Sequence, residues 1–470
     1  MIDIKKAKVR LLSLAFHGAL IDFPKKEKQN DALDVLHKTA KNYSPVSEDE
    51  YLIDSPSFWN WSRLAYVTNN HGQTVPDKDF CYIDVGTLDN VHQRLASEEN
   101  LVTAKDAPSR ARKIVQVGDV LYSTVRPYLH NICIVDREFS RMPIASTAFC
   151  VMHSNERVLL NKFLFYWLLT PEFDKYSNGD PSKGALYPAI GEKDLLRGVI
   201  PIPSIEEQSL IVEKIDAAFF ALDTIDTLQA QYADNLTALK AKLIDAAIQG
   251  KLTEQLPEDG TAEELYREVQ AERKRQEEAG TIKAVELTPE MDESEKTFDI
   301  PSNWKWTNLG NVSYIVRGGS PRPIKQYITT REDGINWIKI GDVEKGGKYI
   351  YSTHEKIIPE GESKSRHVYP GDFLLTNSMS FGRPYISKIE GCIHDGWLLI
   401  HSLNGFDPDY LYYLLSSTYL YGQFTVKASG STVDNLNIDK VKNAIIPLPP
   451  LAEQQRIAQK IDELMPLFEK

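Results

Sequence analysis

Cysteine is scarce. Only four of the 470 residues are cysteine, and Cys81, Cys133, Cys150 and Cys392 form no CxxC pair and no cluster with histidine at zinc-ligand spacing. That excludes a disulfide framework and suggests no metal site, so four buried structural thiols are expected. Long apolar runs are missing too: nothing reaches the ~20 residues that cross a bilayer, and no signal-peptide stretch follows the lysines of the first turn. A cytoplasmic chain without membrane contact is therefore expected. Catalytic signatures are also lacking. There is no glycine-rich strand-to-helix turn for a methyl-donor cofactor and no Asn/Asp-Pro-Pro-aromatic motif; the adjacent prolines Pro449 and Pro450 follow Leu448 and lead towards a helix. Arg317-Gly318-Gly319-Ser320 lacks the lysine and spacing of a phosphate loop and reads as a turn. Neither Pro76-Asp77 nor Pro408-Asp409 has an Asp/Glu-x-Lys within roughly the next thirty residues, which removes the usual carboxylate set for metal-assisted strand cleavage. No catalytic residue and no cofactor are assigned.

What is present is enough apolar residue, 42% of the chain, for two or three packed domains. The net charge of −12 is unevenly spread. Residues 253–301 carry 15 acidic and 6 basic side chains, 15 − 6 giving a net −9, whereas residues 55–200 carry 16 of each and residues 301–446 carry 14 acidic and 16 basic. Two near-neutral blocks therefore flank an acidic segment, expected to be a solvated linker with one charged helix around Ala262–Glu278. Charge alone neither establishes nor excludes a nucleic-acid partner.

An internal repeat sets the architecture. VIPIPSIEEQSLIVEKID, residues 199–216, aligns without a gap on IIPLPPLAEQQRIAQKID, residues 445–462, with nine identities. Trp59 and Trp61 answer Trp304 and Trp306, Gly118-Asp119 answers Gly371-Asp372, and Arg126-Pro127-Tyr128 answers Arg383-Pro384-Tyr385. Each block opens on a Trp-x-Trp strand, mixes β-rich stretches with short helices at 161–169 and 408–416, and closes on an apolar strand and Pro-x-Pro, which turns the chain out. Ser204 and Glu207 then have capping-box spacing; Glu453 repeats the acid, but Pro450 stands where the serine was.

From there Ile211, Ile215, Ala218, Leu222, Ile225, Gln229, Tyr232, Leu236, Leu239, Leu243 and Ala246 recur in alternating steps of four and three, a coiled-coil seam. A helix over residues 204–249 would be ~70 Å long, longer than a domain of such size is wide, and so needs a partner helix. The second copy is split. Ile457, Ile461, Leu464 and Phe468 repeat the front of the seam, and Ile4, Ala7, Leu11 and Leu14 repeat its back at an offset of 232, so the repeat is circular and is interrupted by the termini. The two terminal helices are expected to lie in line, ~12 Å apart, and to pair together with the central helix. The fold class expected is α+β: two similar globular domains separated by long antiparallel coiled-coil helices in a pseudo-twofold, circularly permuted repeat. The expected divisions are residues 1–22 (helix), 45–203 (first domain), 204–252 (central helix), 253–300 (acidic linker), 301–449 (second domain) and 450–470 (helix).

Pro201-Ile-Pro203 with Glu207-Gln208, Pro447-Leu-Pro449 with Glu453-Gln454, and Trp304-Lys-Trp306, in this order across nearly the whole chain, resemble the specificity subunit of type I restriction-modification systems. The resemblance implies two target-recognition domains, each reading one half of a bipartite site in double-stranded DNA, and helices that space them and bind two methyltransferase subunits, with motor-nuclease subunits joining that core. It implies no catalysis by this chain. Two non-identical readers in a pseudo-twofold frame suit an asymmetric two-part site, with half-site spacing following helix length, and two equivalent helical surfaces suit two copies of one partner. A short C-terminal helix departs from the pattern, so the DNA spacer length is not inferred. A coiled-coil scaffold binding only proteins remains open, because the domains are near neutral; a bifunctional methylase-nuclease would need catalytic domains that this sequence lacks.

Candidate DNA contacts come from recurrence. Arg110, Arg112 and Lys113 precede Gly118-Asp119, as Lys364 and Arg366 precede Gly371-Asp372. Arg126, Tyr128, Arg383 and Tyr385 also recur, which fits either a contact or a structural tripeptide. Lys183 and Tyr187, and Lys427 and Ser429, lie in polar glycine-containing segments late in each domain. The paired tryptophans read as core.

Overall fold

The computed structural model describes residues 1–22, 31–40, 43–178, 189–289, 293–344, 346–378, 381–425 and 436–468. Two compact units divide within one helix, Met1–Gln231 and Tyr232–Lys470. Among the described residues no helix is long and apolar enough to cross a membrane.

In the first unit the Trp61 strand, Asn60–Arg63, pairs antiparallel with Val199–Ile202, so both ends of the domain meet in one ribbon. One four-stranded sheet runs in the order Leu101–Val102, Phe80–Ile83, Pro143–Ser146, Ala111–Ile114. A second runs Thr68–Asn69, Phe149–Ser154, Val120–Ser123, Ile132–Ile134. The second unit repeats the plan with five strands per sheet: Ser313–Arg317, Trp397–Ser402, Phe373–Thr376, Pro384–Ser387 and Tyr349–Ile350 in one, and Ile328–Thr329, Glu355–Ile357, Ile335–Ile338, Gly391–Ile393 and Arg366–Val368 in the other. Its closing ribbon is Lys305–Asn308 with Ile445–Leu448. The first proline of each Pro-x-Pro lies inside its ribbon, Pro201 opposite Trp61 and Pro447 opposite Trp306. A two-stranded ribbon leaves one edge of each strand free, where a missing N–H costs nothing.

The central helix spans Ile205–Ile248. Its start is the expected capping box: Ser204 N–H donates to Glu207 Oε2 at 2.9 Å and Glu207 N–H to Ser204 Oγ at 3.2 Å. Gly250, at φ +72°, ends it with a bond from Lys251 N–H to Ala246 O at 3.0 Å. Gly18, at φ +73°, ends the N-terminal helix (Ile4–Phe16) with the equivalent bond from Ala19 N–H to Leu14 O at 2.9 Å. Both are left-handed helix stops that glycine makes without strain.

Within the first unit the N-terminal helix runs antiparallel to the front of the central one. Ile2 exchanges hydrogen bonds with Gln229, and Lys8 reaches Asp223 at 2.5 Å and lies over the Phe219 ring. Its buried face is Leu12, Ala15 and Phe16, against Phe163 and Trp167. In the second unit the C-terminal helix (Leu451–Leu464) buries Ile457, Ala458 and Ile461 in one core with Ile244, Ala247 and Ile248. Leu12, Ala15 and Phe16 match Ile244, Ala247 and Ile248 at the offset of 232. The face each helix gives to its domain thus sits one residue round from the seam. Of the seam residues, Ile211, Ile215, Ile457 and Ile461 are buried; Ile4, Leu11, Leu222, Ile225, Leu236, Leu243, Leu464 and Phe468 are half-buried; Leu14 and Leu239 are exposed.

One buried amide fixes each helix to its domain. Gln208 donates to Val158 O and Pro203 O and accepts Leu160 N–H; Gln454 donates to Gly405 O and Pro449 O and accepts Asp407 N–H. Glu453 departs from Glu207 because Pro450, unlike Ser204, has no backbone N–H to donate to the carboxylate. Its fully buried carboxylate instead takes Trp304 Nε1–H at 2.8 Å, Gln255 at 3.0 Å and Thr253 at 3.2 Å. The charged helix is found at Ala262–Glu278, but it is not merely solvated: Ala262, Leu265, Val269 and Arg273 are buried in the second domain, and Arg273 donates to Gly310 O and Ser313 O. A short helix in the same place of the repeat, Asp31–Thr39, buries Leu33.

Candidate nucleic-acid interface

A chain of backbone bonds gathers the candidate segments of each domain. In the first, Thr74 N–H donates to Arg112 O at 2.8 Å, Thr147 N–H to Arg110 O at 2.8 Å, Thr124 N–H to Ala148 O at 2.8 Å and Ile190 N–H to Thr124 O at 2.9 Å. Five segments separated in sequence therefore adjoin. In the second domain Gly318 N–H donates to Trp397 O, Gly319 N–H to Ile393 O, Asn377 N–H to Gly396 O and Leu436 N–H to Asn377 O. The corresponding segments meet again, and Arg366 joins them as the ladder partner of Ile393. A Cβ on Gly318 would stand 2.1 Å from His394 O, so only glycine permits this approach. The Arg317–Ser320 stretch is thus a packed turn. Asp395 pins it: the carboxylate accepts Ser320 Oγ–H at 2.6 Å, which holds the acid below its ordinary range, and pairs with Arg322 at 3.2 Å.

Around these junctions Arg110, Lys364, Arg366 and Arg383 are exposed, and Arg112 is half-buried with Nη1 on Ala111 O. Lys364 lies over the Tyr327 ring at 4.9 Å. Arg317 and Arg322 join this set without having been singled out in the sequence; two arginines flanking Gly318-Gly319 were the available signal. Such cations on short rigid connections suit phosphate and base contacts. Lys183, Tyr187, Lys427 and Ser429 lie outside the described residues.

Two candidates are corrected. Lys113 is only 6% exposed and its ammonium pairs with Glu192 at 2.7 Å, so its charge is spent inside the domain. Tyr385 is 3% exposed and packs edge-on against Trp397. The matching tripeptides are not equivalent in space. Leu374 faces Tyr385 across its ladder, and the corresponding Leu121 faces Cys133. Arg126-Pro127-Tyr128 lies earlier, in a turn where Arg126 has φ +51°, and leaves Tyr128 48% exposed.

Sequence spacing also hid a cluster. Asp119, fully buried, accepts from Gln116 N–H on Oδ2, while its Oδ1 lies 3.1 Å from His71 Nε2 and 2.8 Å from His153 Nδ1. In the second domain Asp372 has one such partner, His401 at 2.7 Å; that hydrogen bond raises the imidazole's pKa. All four cysteines are free and buried, and burial pushes Cys133 and Cys150 up to about 12 and Cys392 up to about 11.

Residues 301–469 match the family model for the type I restriction modification DNA specificity domain. Over 98% of its length the chain is 28% identical to the EcoAI specificity subunit of Escherichia coli, covering 89% of that protein. It is 23% identical to the EcoDI specificity subunit of Escherichia coli over 57% of its length, spanning 60% of that relative. A chain solved in work on complex assembly and conformational transition of the type I R-M system superposes with a TM-score of 0.63 at 23% identity, covering 87% of this chain and 91% of that one. That likeness concerns the fold: paired α+β domains with a long helix between them.

Proposed function

Since the chain belongs to the type I restriction-modification specificity family, we propose that it is the non-catalytic, cytoplasmic subunit that selects DNA for its complex. Residues 45–203 and 301–449 act as target-recognition domains, one for each half of a bipartite site. The central helix, with the terminal helices along its two parts, sets the spacing and carries two methyltransferase subunits, to which motor-nuclease subunits add. The observation that carries this reading is the recurrence, in both domains, of cations ahead of the Gly-Asp corner: exposed Arg110 and half-buried Arg112 in one, exposed Lys364 and Arg366 in the other. A protein-only scaffold would have no reason to place charge twice at matching connections.

The test is a footprint on the cognate DNA with the methyltransferase subunit present. Two protected patches at fixed spacing are expected. Arg110→Ala with Arg112→Ala weakens one patch, and Lys364→Ala with Arg366→Ala the other; each phosphate contact removed lowers the salt slope by ~1. Absence of protection at any salt sinks the proposal and favours the scaffold. Unchanged affinity and motif in both double variants sinks the residue assignment.

A further inference from the structure

We propose that His71, Asp119 and His153 form a zinc site in the first domain. Three elements deliver the ligands: the connection after Thr68–Asn69, the Gln116–Asp119 turn, and the end of the Phe149–Ser154 strand. The three ligand atoms lie within 4.8 Å of one another. Zinc with bonds of ~2.0–2.2 Å places tetrahedral ligands ~3.3 Å apart, so small shifts admit the ion. The carboxylate is fully buried and aimed by Gln116 N–H, while the imidazoles keep 16% and 30% of their side-chain surface. That leaves one side open for a fourth ligand, water or solute. Two imidazole nitrogens with one carboxylate oxygen suit zinc; calcium and magnesium take all-oxygen shells.

The repeat supplies the control. Ladder partners His153 and Asn69 correspond to His401 and Tyr314, which puts Val316 where His71 stands. The second domain makes the same Gly-Asp corner, with Tyr369 N–H on Asp372 Oδ2 at 2.8 Å and His401 on Oδ1, and among the described residues no second imidazole reaches it. The corner therefore folds on one histidine. His71 is a second nitrogen brought to the same oxygen, beyond what the corner needs to fold, so two imidazoles and a carboxylate converge as a metal site requires. Bound zinc would tie residues 70–72 to both strands of the corner.

The full chain, stripped with chelator and dialysed, is titrated with Zn(II) by calorimetry, and with Co(II) by absorption spectroscopy. One equivalent is expected, with the d–d bands of a low-symmetry four-coordinate cobalt ion. His71→Val, which copies the second domain, and His153→Gln are each expected to lower affinity by more than ~100-fold, since loss of even an outer-shell partner costs ~10–100-fold. Circular dichroism of His71→Val should be unchanged. Failure of the wild-type chain to take up stoichiometric zinc overturns the proposal, as does unchanged uptake by a folded His71→Val variant. Neither readout involves DNA, so the result is independent of the functional reading above.

Discussion

Replacing Gln454 by alanine isolates the contact that closes the second domain. Its side chain is fully buried, with Nε2 on Gly405 O and Pro449 O at 3.0 Å each and Oε1 on Asp407 N–H at 2.9 Å. Alanine leaves three backbone groups without partners, two of them buried and the Asp407 N–H half-buried, at ~1–3 kcal/mol apiece. Water entering the vacated space relieves part of this, so a loss of about 3 kcal/mol is expected. For a unit of this size that corresponds to a fall of ~6–12 °C in the midpoint of its thermal transition. Scanning calorimetry reads the shift, and hydrogen exchange reads the cause: the Asp407 amide should lose protection more than its neighbours. Gln208→Ala should cost as much, through Val158 O, Pro203 O and Leu160 N–H. A shift below ~2 °C, or a large shift with Asp407 still protected, would refute the clamp.

Four further outcomes follow from the geometry. The His401–Asp372 pair strengthens folding when the imidazole is charged; because its pKa is raised in the fold, the contribution is complete below the ordinary histidine value of ~6.5 and is lost as pH rises through the raised one. The deficit of His401→Gln in chemical unfolding should therefore be largest in acid and shrink with rising pH; a flat difference refutes it. Tyr385→Ala should cost ~3–5 kcal/mol in urea unfolding, whereas Tyr128→Ala, at an exposed position, should cost under ~0.5 kcal/mol. Gly250→Ala puts a Cβ 2.4 Å from Pro301 Cγ at φ +72°, so loss of stability by ~1–3 kcal/mol is expected in the same assay. The four thiols should be inert to a disulfide reagent in the native state and react after unfolding; rapid native labelling of Cys150 would contradict its burial.

What the sequence disclosed was what local rules govern. The bounds of the central helix follow from a heptad pattern and a capping pair, and the Trp-x-Trp ribbons from short apolar strands whose repeats could be aligned. Glu453 was illegible because its donors, Thr253, Gln255 and Trp304, stand 149 to 200 residues away. The three zinc-type ligands likewise meet only through strand pairing. Arg-Pro-Tyr misled for the opposite reason: identical letters fall in a turn in one domain and in a strand in the other, and only the ladder register separates them. The charged helix was placed correctly from its charge pattern, but its docking face of four residues is too sparse to outweigh its acidity.

The twin glutamines also bear on how such a gene can change. Each seals its frame through main-chain atoms alone, so that clamp makes no demand on the exposed side chains Arg110, Lys364 and Arg366. Mutation can rewrite those connections while the fold is inherited intact, and crossing-over between two such genes within the central helix exchanges one complete frame for another. Under the proposed function, a new target would then arise from an old protein in a single recombination.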